Sequence, residues 1–154
     1  MPKSSLISSV FGLVIMFISQ IATAADLIID NAWIRAMPPT SRVIPIYLTI
    51  KNPSATANAL ISISSPRGYV EVHQTIMENG MMKMQAVDAV PVTANGVAKL
   101  EPAGYHGMMM NFTDSVPAKG ESVPLTLKFK NGETISVKAK VKMSADSGGH
   151  NHHH

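Results

Sequence analysis

The C-terminal third of the chain alternates apolar and polar residues with a period of two on both sides of Asn131-Gly132. The apolar positions are Val123, Leu125, Leu127 and Phe129 before this pair and Ile135, Val137, Ala139 and Val141 after it. Such alternation places the apolar side chains on one face of a strand, and Asn-Gly is a preferred hairpin turn. The lysines at 138, 140 and 142 then face water. This pattern predicts a half-buried antiparallel hairpin.

Short strand candidates separated by turn residues fill the rest of the chain after the first 25 residues. They span 27–36, 43–51, 59–64, 69–75, 81–87, 96–101 and 107–112. We find no helical run of useful length, and 154 residues point to one domain. Eight or nine short strands with regularly spaced turns favour an all-β fold, either a two-sheet sandwich or a barrel.

Residues 1–25 have the layout of a secretory signal peptide. Lys3 precedes an apolar run from 6 to 21, and Ala22-Thr23-Ala24 follows as a small-residue cleavage site. A transmembrane anchor is the alternative, but it needs about 20 strongly apolar residues and this run is diluted by serine, glycine and glutamine. We expect cleavage near Ala24 or Ala25, export to the periplasm, and a mature form that is not embedded in the membrane.

The absence of cysteine and the modest charge exclude several classes of function. With no cysteine, the chain has no disulfide, no thiolate metal site and no thiol nucleophile, and we expect no lipid anchor either. The 13 basic residues only slightly outnumber the 10 acidic ones and are mostly scattered. This is too little positive charge to predict nucleic-acid binding.

Methionine and histidine are the residues that carry chemistry. The chain has 11 methionines, and seven of them lie between 77 and 110. Outside the C-terminal tail the only histidines are His73 and His106. Met108 shares a strand face with His106, while Met84 lies across the predicted hairpin from His73. Two imidazoles and two thioethers suit Cu(I) better than zinc, magnesium or calcium.

Core packing is the alternative explanation for the many methionines. Methionine often fills irregular gaps in a core. Consecutive methionines, however, put sulfur on both faces of a strand, which packing does not require. We expect packing or supporting roles for the other members of the cluster, which are Met77, Met81, Met82, Met109 and Met110. Glu71 and Glu78 are expected to be solvated.

The spacing of the four candidate ligands resembles the signature of the periplasmic copper chaperones of the PCu(A)C type. That signature is His, ten residues, Met, 21 residues, His, one residue, Met, and His73, Met84, His106 and Met108 match it. The similarity extends over 32–141, including the residues around Trp33. It implies a cupredoxin-like Greek-key β-sandwich over 26–143 and Cu(I) bound by those four residues. It also implies delivery of copper to the dinuclear centre of cytochrome c oxidase, through an oxidase subunit or another copper chaperone.

Residues 144–154 have the composition of a disordered tail. The tail contains His150, His152, His153 and His154. The family resemblance implies that such an extension engages a second copper ion, often as Cu(II). The alternatives are an expression tag or an unselective histidine tract, and the interrupting Asn151 favours a native tail.

Four other functions compete with that of a copper carrier. A blue-copper electron-transfer protein needs a cysteine thiolate, which is absent. A copper enzyme needs an open coordination position, which four protein ligands do not leave, so we expect no enzyme. An adhesive or structural sandwich does not account for the ligand spacing. Periplasmic copper sequestration without a dedicated acceptor would use the same site and stays open.

Overall fold

The computed structural model describes residues 26–145, so the predicted signal peptide and residues 146–154 of the tail lie outside it. The described part contains ten strands and no helix, and therefore none that could cross a membrane. The strands are β1 Ile28–Arg35, β2 Val43–Lys51, β3 Asn58–Ser64, β4 Tyr69–Glu78, β5 Met81–Ala86, β6 Val90–Val92, β7 Val97–Leu100, β8 Tyr105–Met110, β9 Ser122–Phe129 and β10 Thr134–Lys142.

All ten strands belong to one hydrogen-bonded sheet that folds over on itself. The strand order is β5-β4-β8-β7-β2-β1-β10-β9-β3-β6, with an additional pairing of β8 with β2. β3 also contacts β4, and β6 contacts β7, although these pairs lie far apart in that order. The two halves of the sheet therefore face each other as two layers and enclose the core between them.

The β9–β10 hairpin supplies one wall of this core. Val123, Leu125, Leu127 and Phe129 are at most 1% exposed, whereas the residues between them are exposed or half-buried. On β10, Ala139 and Val141 are buried and the neighbouring Lys138 and Lys140 are exposed. The alternation about Asn131-Gly132 is thus confirmed as a hairpin with one apolar face.

The strands depart from the sequence prediction by more than one residue at β6, β4 and β8. β6, which makes the count ten rather than eight or nine, has only three residues with Pro91 in the middle. Proline cannot donate to a ladder, and β6 accordingly lies at the edge of the sheet. β4 continues to Glu78, and β8 begins two residues earlier than predicted, at Tyr105. Both differences arise from strand pairing. β4 extends to Glu78 because β5 pairs with it up to that residue, and β8 begins at Tyr105 because Tyr105 pairs with Gln74 of β4.

Candidate metal centre

β4 lies between β5 and β8 and brings the four predicted ligands to one face of the sheet. His73 on β4 pairs directly with His106 on β8. Thr75, two residues further along β4, pairs with Met84 on β5. Directly paired residues and residues two apart on a strand share a face, so His73, Met84, His106 and Met108 all point to the same side. The opposite side of β8 carries the fully buried Met109 and faces the core.

The hydrogen bond of His106 to the backbone determines which ring nitrogen is free. Its Nδ1 lies 3.1 Å from the carbonyl oxygen of Gly104, which can only accept. Nδ1 therefore carries the hydrogen, and in the neutral ring Nε2 has a bare lone pair. This Nε2 lies 3.2 Å from the Sδ atom of Met84. A thioether has no hydrogen to donate, so Nε2 and Sδ are two electron-pair donors that face each other. Their separation is one that a single cation bound to both atoms would allow.

His73 shows the same arrangement with a carboxylate in place of the carbonyl. Its Nε2 lies 3.0 Å from an oxygen of Glu71 and donates to it. The remaining Nδ1 is buried and has no hydrogen-bond partner. A buried polar atom without a partner is costly, whereas a metal ion would satisfy it. Metal-binding histidines commonly donate their other N–H to a carboxylate or a carbonyl, as both histidines do here.

Three of the four predicted ligands line an open depression of about 300 Å³. Met84, His106 and Met108 line it, together with Pro102 and Ala103 of the loop before β8. His106 is only 6% exposed, whereas Met84 on the edge strand is 59% exposed. His73 does not line this depression but stands beside it, with its ring centre 6.3 Å from that of His106. The structure therefore places all four side chains close together on one face of the sheet, with Met84 on the side exposed to solvent.

The donor atoms of this neighbourhood favour a soft cation. Imidazole nitrogen and thioether sulfur are neutral, and Glu71 is already bonded to His73. Within residues 26–145, no three His, Cys, Asp or Glu side chains gather into a metal-binding group. Zinc and calcium sites are usually built from such groups. The set present here, two nitrogens and two sulfurs, is the one that Cu(I) prefers.

Two groups around the histidines have roles that were not assigned from the sequence. Glu71, predicted to be solvated, has a side chain that is 38% exposed and also accepts a hydrogen bond from His73. Their two-residue spacing was the available signal. The position of the Gly104 carbonyl depends on loop geometry, so no sequence pattern indicated its role. The packing role expected for Met109 is confirmed, since it is fully buried. Packing does not hold for three others, for which the alternative supporting role stays a prediction. Met77, Met81 and Met82 are 67%, 62% and 64% exposed.

Replacing Glu71 with alanine is expected to weaken Cu(I) binding by about 10- to 100-fold, the usual cost of losing a group that orients a metal-binding histidine. Without the carboxylate, the His73 ring can rotate, and its hydrogen is no longer held on Nε2, so Nδ1 is not kept free to bind the ion. Glu71→Gln, whose amide oxygen still accepts, should recover part of the loss. A competition titration measures the affinities, and equal values for wild type and Glu71→Ala would contradict the assigned role.

The described residues form an all-β fold with two histidines and two methionines on one face of the sheet, and comparison with known families shows the group to which the chain belongs. Residues 27–141 match the family described as "Putative lipoprotein LpqE-like", so the chain belongs to this family. The putative lipoprotein Lxx21020 of Leifsonia xyli subsp. xyli (strain CTCB07) is 30% identical over 116 residues, covering 74% of this chain and 68% of the relative. This chain itself contains no cysteine.

Solved structures of PCuAC domains share this fold. The solution structure of the Cu(I) form of DR1885 from Deinococcus radiodurans is 30% identical, with a TM-score of 0.64, and covers 80% of this chain and 83% of that protein. The copper-bound PCuAC domain from PmoF2 is 19% identical, with a TM-score of 0.65, and covers 79% and 96%. The predicted all-β, cupredoxin-like sandwich is therefore confirmed.

Proposed function

We propose that this protein is an exported copper carrier that holds Cu(I) with His73, Met84, His106 and Met108. The observation that carries the proposal is the 3.2 Å approach of His106 Nε2 to Met84 Sδ, since neither atom has a hydrogen to share. The buried, unpaired Nδ1 of His73 supports it as a further donor aimed at no other group. The likeness to a Cu(I)-bound relative at 30% identity points to the same ion.

The site is suited to releasing its ion as well as to binding it. All four donors are neutral, so bound Cu(I) keeps its positive charge, which disfavours deep and permanent burial. Met84 belongs to an edge strand whose six residues are all exposed. An acceptor can therefore approach from that side and replace Met84 by ligand exchange, while His106 stays anchored to the Gly104 carbonyl.

We assign delivery to the dinuclear copper centre of cytochrome c oxidase as the destination implied by the family resemblance. Export to the periplasm is supported by the signal-like N-terminus and by the lipoprotein name of the relative. The protein is not proposed to be an enzyme, because four protein donors leave no position for substrate. The alternative is copper sequestration without a dedicated acceptor. Mixing the Cu(I)-loaded protein with the apo copper domain of the oxidase separates the two, since only a carrier transfers its ion.

The direct test is a Cu(I) competition titration of residues 26–143, combined with X-ray absorption at the copper edge. We expect one tightly bound Cu(I) with both sulfur and nitrogen scattering. Failure to bind Cu(I), or scattering from nitrogen alone, would remove the methionines from the site and overturn the proposal.

We also propose that the tail binds Cu(II), because four histidines follow Met143 within 11 residues. Imidazole is a good ligand for Cu(II), and the tail contains no thioether. Ending the chain after Met143 is therefore expected to abolish Cu(II) uptake and leave Cu(I) binding unchanged, as measured by metal stoichiometry. Retention of Cu(II) by the shortened chain would rule the tail out.

A further inference from the structure

The tip of the β4–β5 hairpin carries a second group of thioethers on the same face as the proposed site. Met77 and Met82 pair directly across the two strands, and Thr75 and Met84 form the next pair on that face. The sheet face therefore presents, from tip to base, Met77 with Met82, then Met84, and then the two histidines. The turn itself is the predicted Asn79-Gly80, with both residues at positive φ.

Packing does not explain why these positions are methionine. Met77 is 67% exposed and Met82 is 64% exposed, and every residue of β5 is exposed. An exposed strand position ordinarily favours a β-branched or polar residue, and methionine has no advantage there as a hydrophobic group. What methionine adds is a soft sulfur donor on a flexible side chain.

Charged groups of the hairpin are kept away from these sulfurs. Glu78 accepts a hydrogen bond from the Lys83 ammonium, and both residues alternate with the methionine face along their strands. Met81, also 62% exposed, lies on that opposite face with them. At the tip, the methionine face thus offers thioethers without a carboxylate or an ammonium, because Glu71, which shares this face, lies beyond His73 and is bonded to it. Such a donor set selects a soft monovalent ion over zinc or calcium.

The spacing allows one ion to contact these side chains together. Directly paired residues have Cβ atoms about 4.5–5.5 Å apart, and residues two apart on a strand are about 6.6 Å apart. Methionine, with three rotatable bonds, can bring its sulfur across such gaps. Met84 lies within reach of Met82 on one side and contacts His106 on the other.

We propose that Met77 and Met82, with Met84, form a thioether-only docking site that receives Cu(I) at the hairpin tip and passes it inward through Met84. This inference rests on the proposed copper-carrier function and adds an entry point to it. The exposed tip side chains must be ordered to bind, whereas both imidazoles are already oriented by hydrogen bonds, so we expect the tip to bind Cu(I) more weakly. The ion therefore moves from the tip to His106, with Met84 keeping contact during the exchange.

The test follows the methionine methyl signals by NMR in the chain from Asp26 to His154, labelled at the methionine methyl carbons and titrated with Cu(I). In wild type, the first equivalent should shift Met84 and Met108; if it shifts neither, the proposed function itself fails. In His106→Ala, Cu(I) should still shift Met77, Met82 and Met84 together, while Met81 on the opposite face stays in place. No shift at the tip, or an equal shift at Met81, would overturn the docking site alone.

A kinetic measurement tests the same site with the histidines intact. In the double variant Met77→Leu/Met82→Leu, the final Cu(I) affinity should equal that of wild type, and loading from a Cu(I)–chelator complex should slow severalfold. Met81→Leu is the matched control on the other face of the hairpin and should load at the wild-type rate. Unchanged loading in the double variant, or equal slowing in the control, would contradict an entry role.

Discussion

Replacing Met84 with leucine is expected to lower the affinity for Cu(I) more than about a hundredfold, since loss of even an outer orienting group costs about 10- to 100-fold. Leucine keeps the apolar volume but removes the sulfur that faces His106 Nε2. Because residue 84 is 59% exposed on an edge strand, the free energy of unfolding should change by no more than about 0.5 kcal/mol. Competition titration and urea denaturation measure the two quantities.

Met81→Leu provides the matched control for this substitution. Met81 belongs to the same strand and is 62% exposed, but it lies on the opposite face from the histidines. Its replacement should change neither the affinity nor the stability. If Met84→Leu bound Cu(I) as tightly as Met81→Leu, the thioether at position 84 would not be a ligand.

Replacing Phe129 with alanine is expected to lower the free energy of unfolding by about 3–5 kcal/mol. Phe129 is completely buried at the end of β9, where it pairs with Leu60 of β3. The loss combines the transfer free energy of the ring with the cavity that it leaves. Since domains are stable by only about 5–15 kcal/mol, this single change removes much of the total.

Ile61→Ala tests whether burial is the cause, because Ile61 lies beside Leu60 on β3 but is 41% exposed. Its replacement should cost far less in the same urea titration. A similar loss in both variants would contradict burial as the cause of the Phe129→Ala effect.

The fold was predictable wherever short-range patterns carry it. The alternation around Asn131-Gly132 predicts β9 and β10 and their buried faces, because the period of two is a local property of a strand. β6 was not predictable, because three residues with a central proline have no period to read. The folding of one sheet into two facing layers depends on contacts such as that of β3 with β4, which no local pattern encodes.

The candidate site likewise has features that the sequence predicts and features that it does not. The Asn79-Gly80 turn predicts a hairpin that brings Met84 near His73, and the structure pairs Met84 with Thr75, one position further along that face. The direct pairing of His73 with His106 joins residues more than thirty positions apart in the sequence and could not be derived from periodicity. Two hydrogen bonds leave one nitrogen bare on each ring. The bond to Glu71 has a sequence signal in its two-residue spacing from His73, whereas the bond to the carbonyl of Gly104 depends on loop geometry and has none.

The position of β5 at the end of the strand order has a thermodynamic consequence. β5 is held by β4 alone, and none of its six side chains contributes to the core. Edge segments with little buried apolar surface open at a free-energy cost far below that of global unfolding. Fraying of this strand would carry Met84 away from His106 while the two layers stay closed. The geometry of the proposed copper site and the stability of the fold therefore depend on different residues, and each can change without the other.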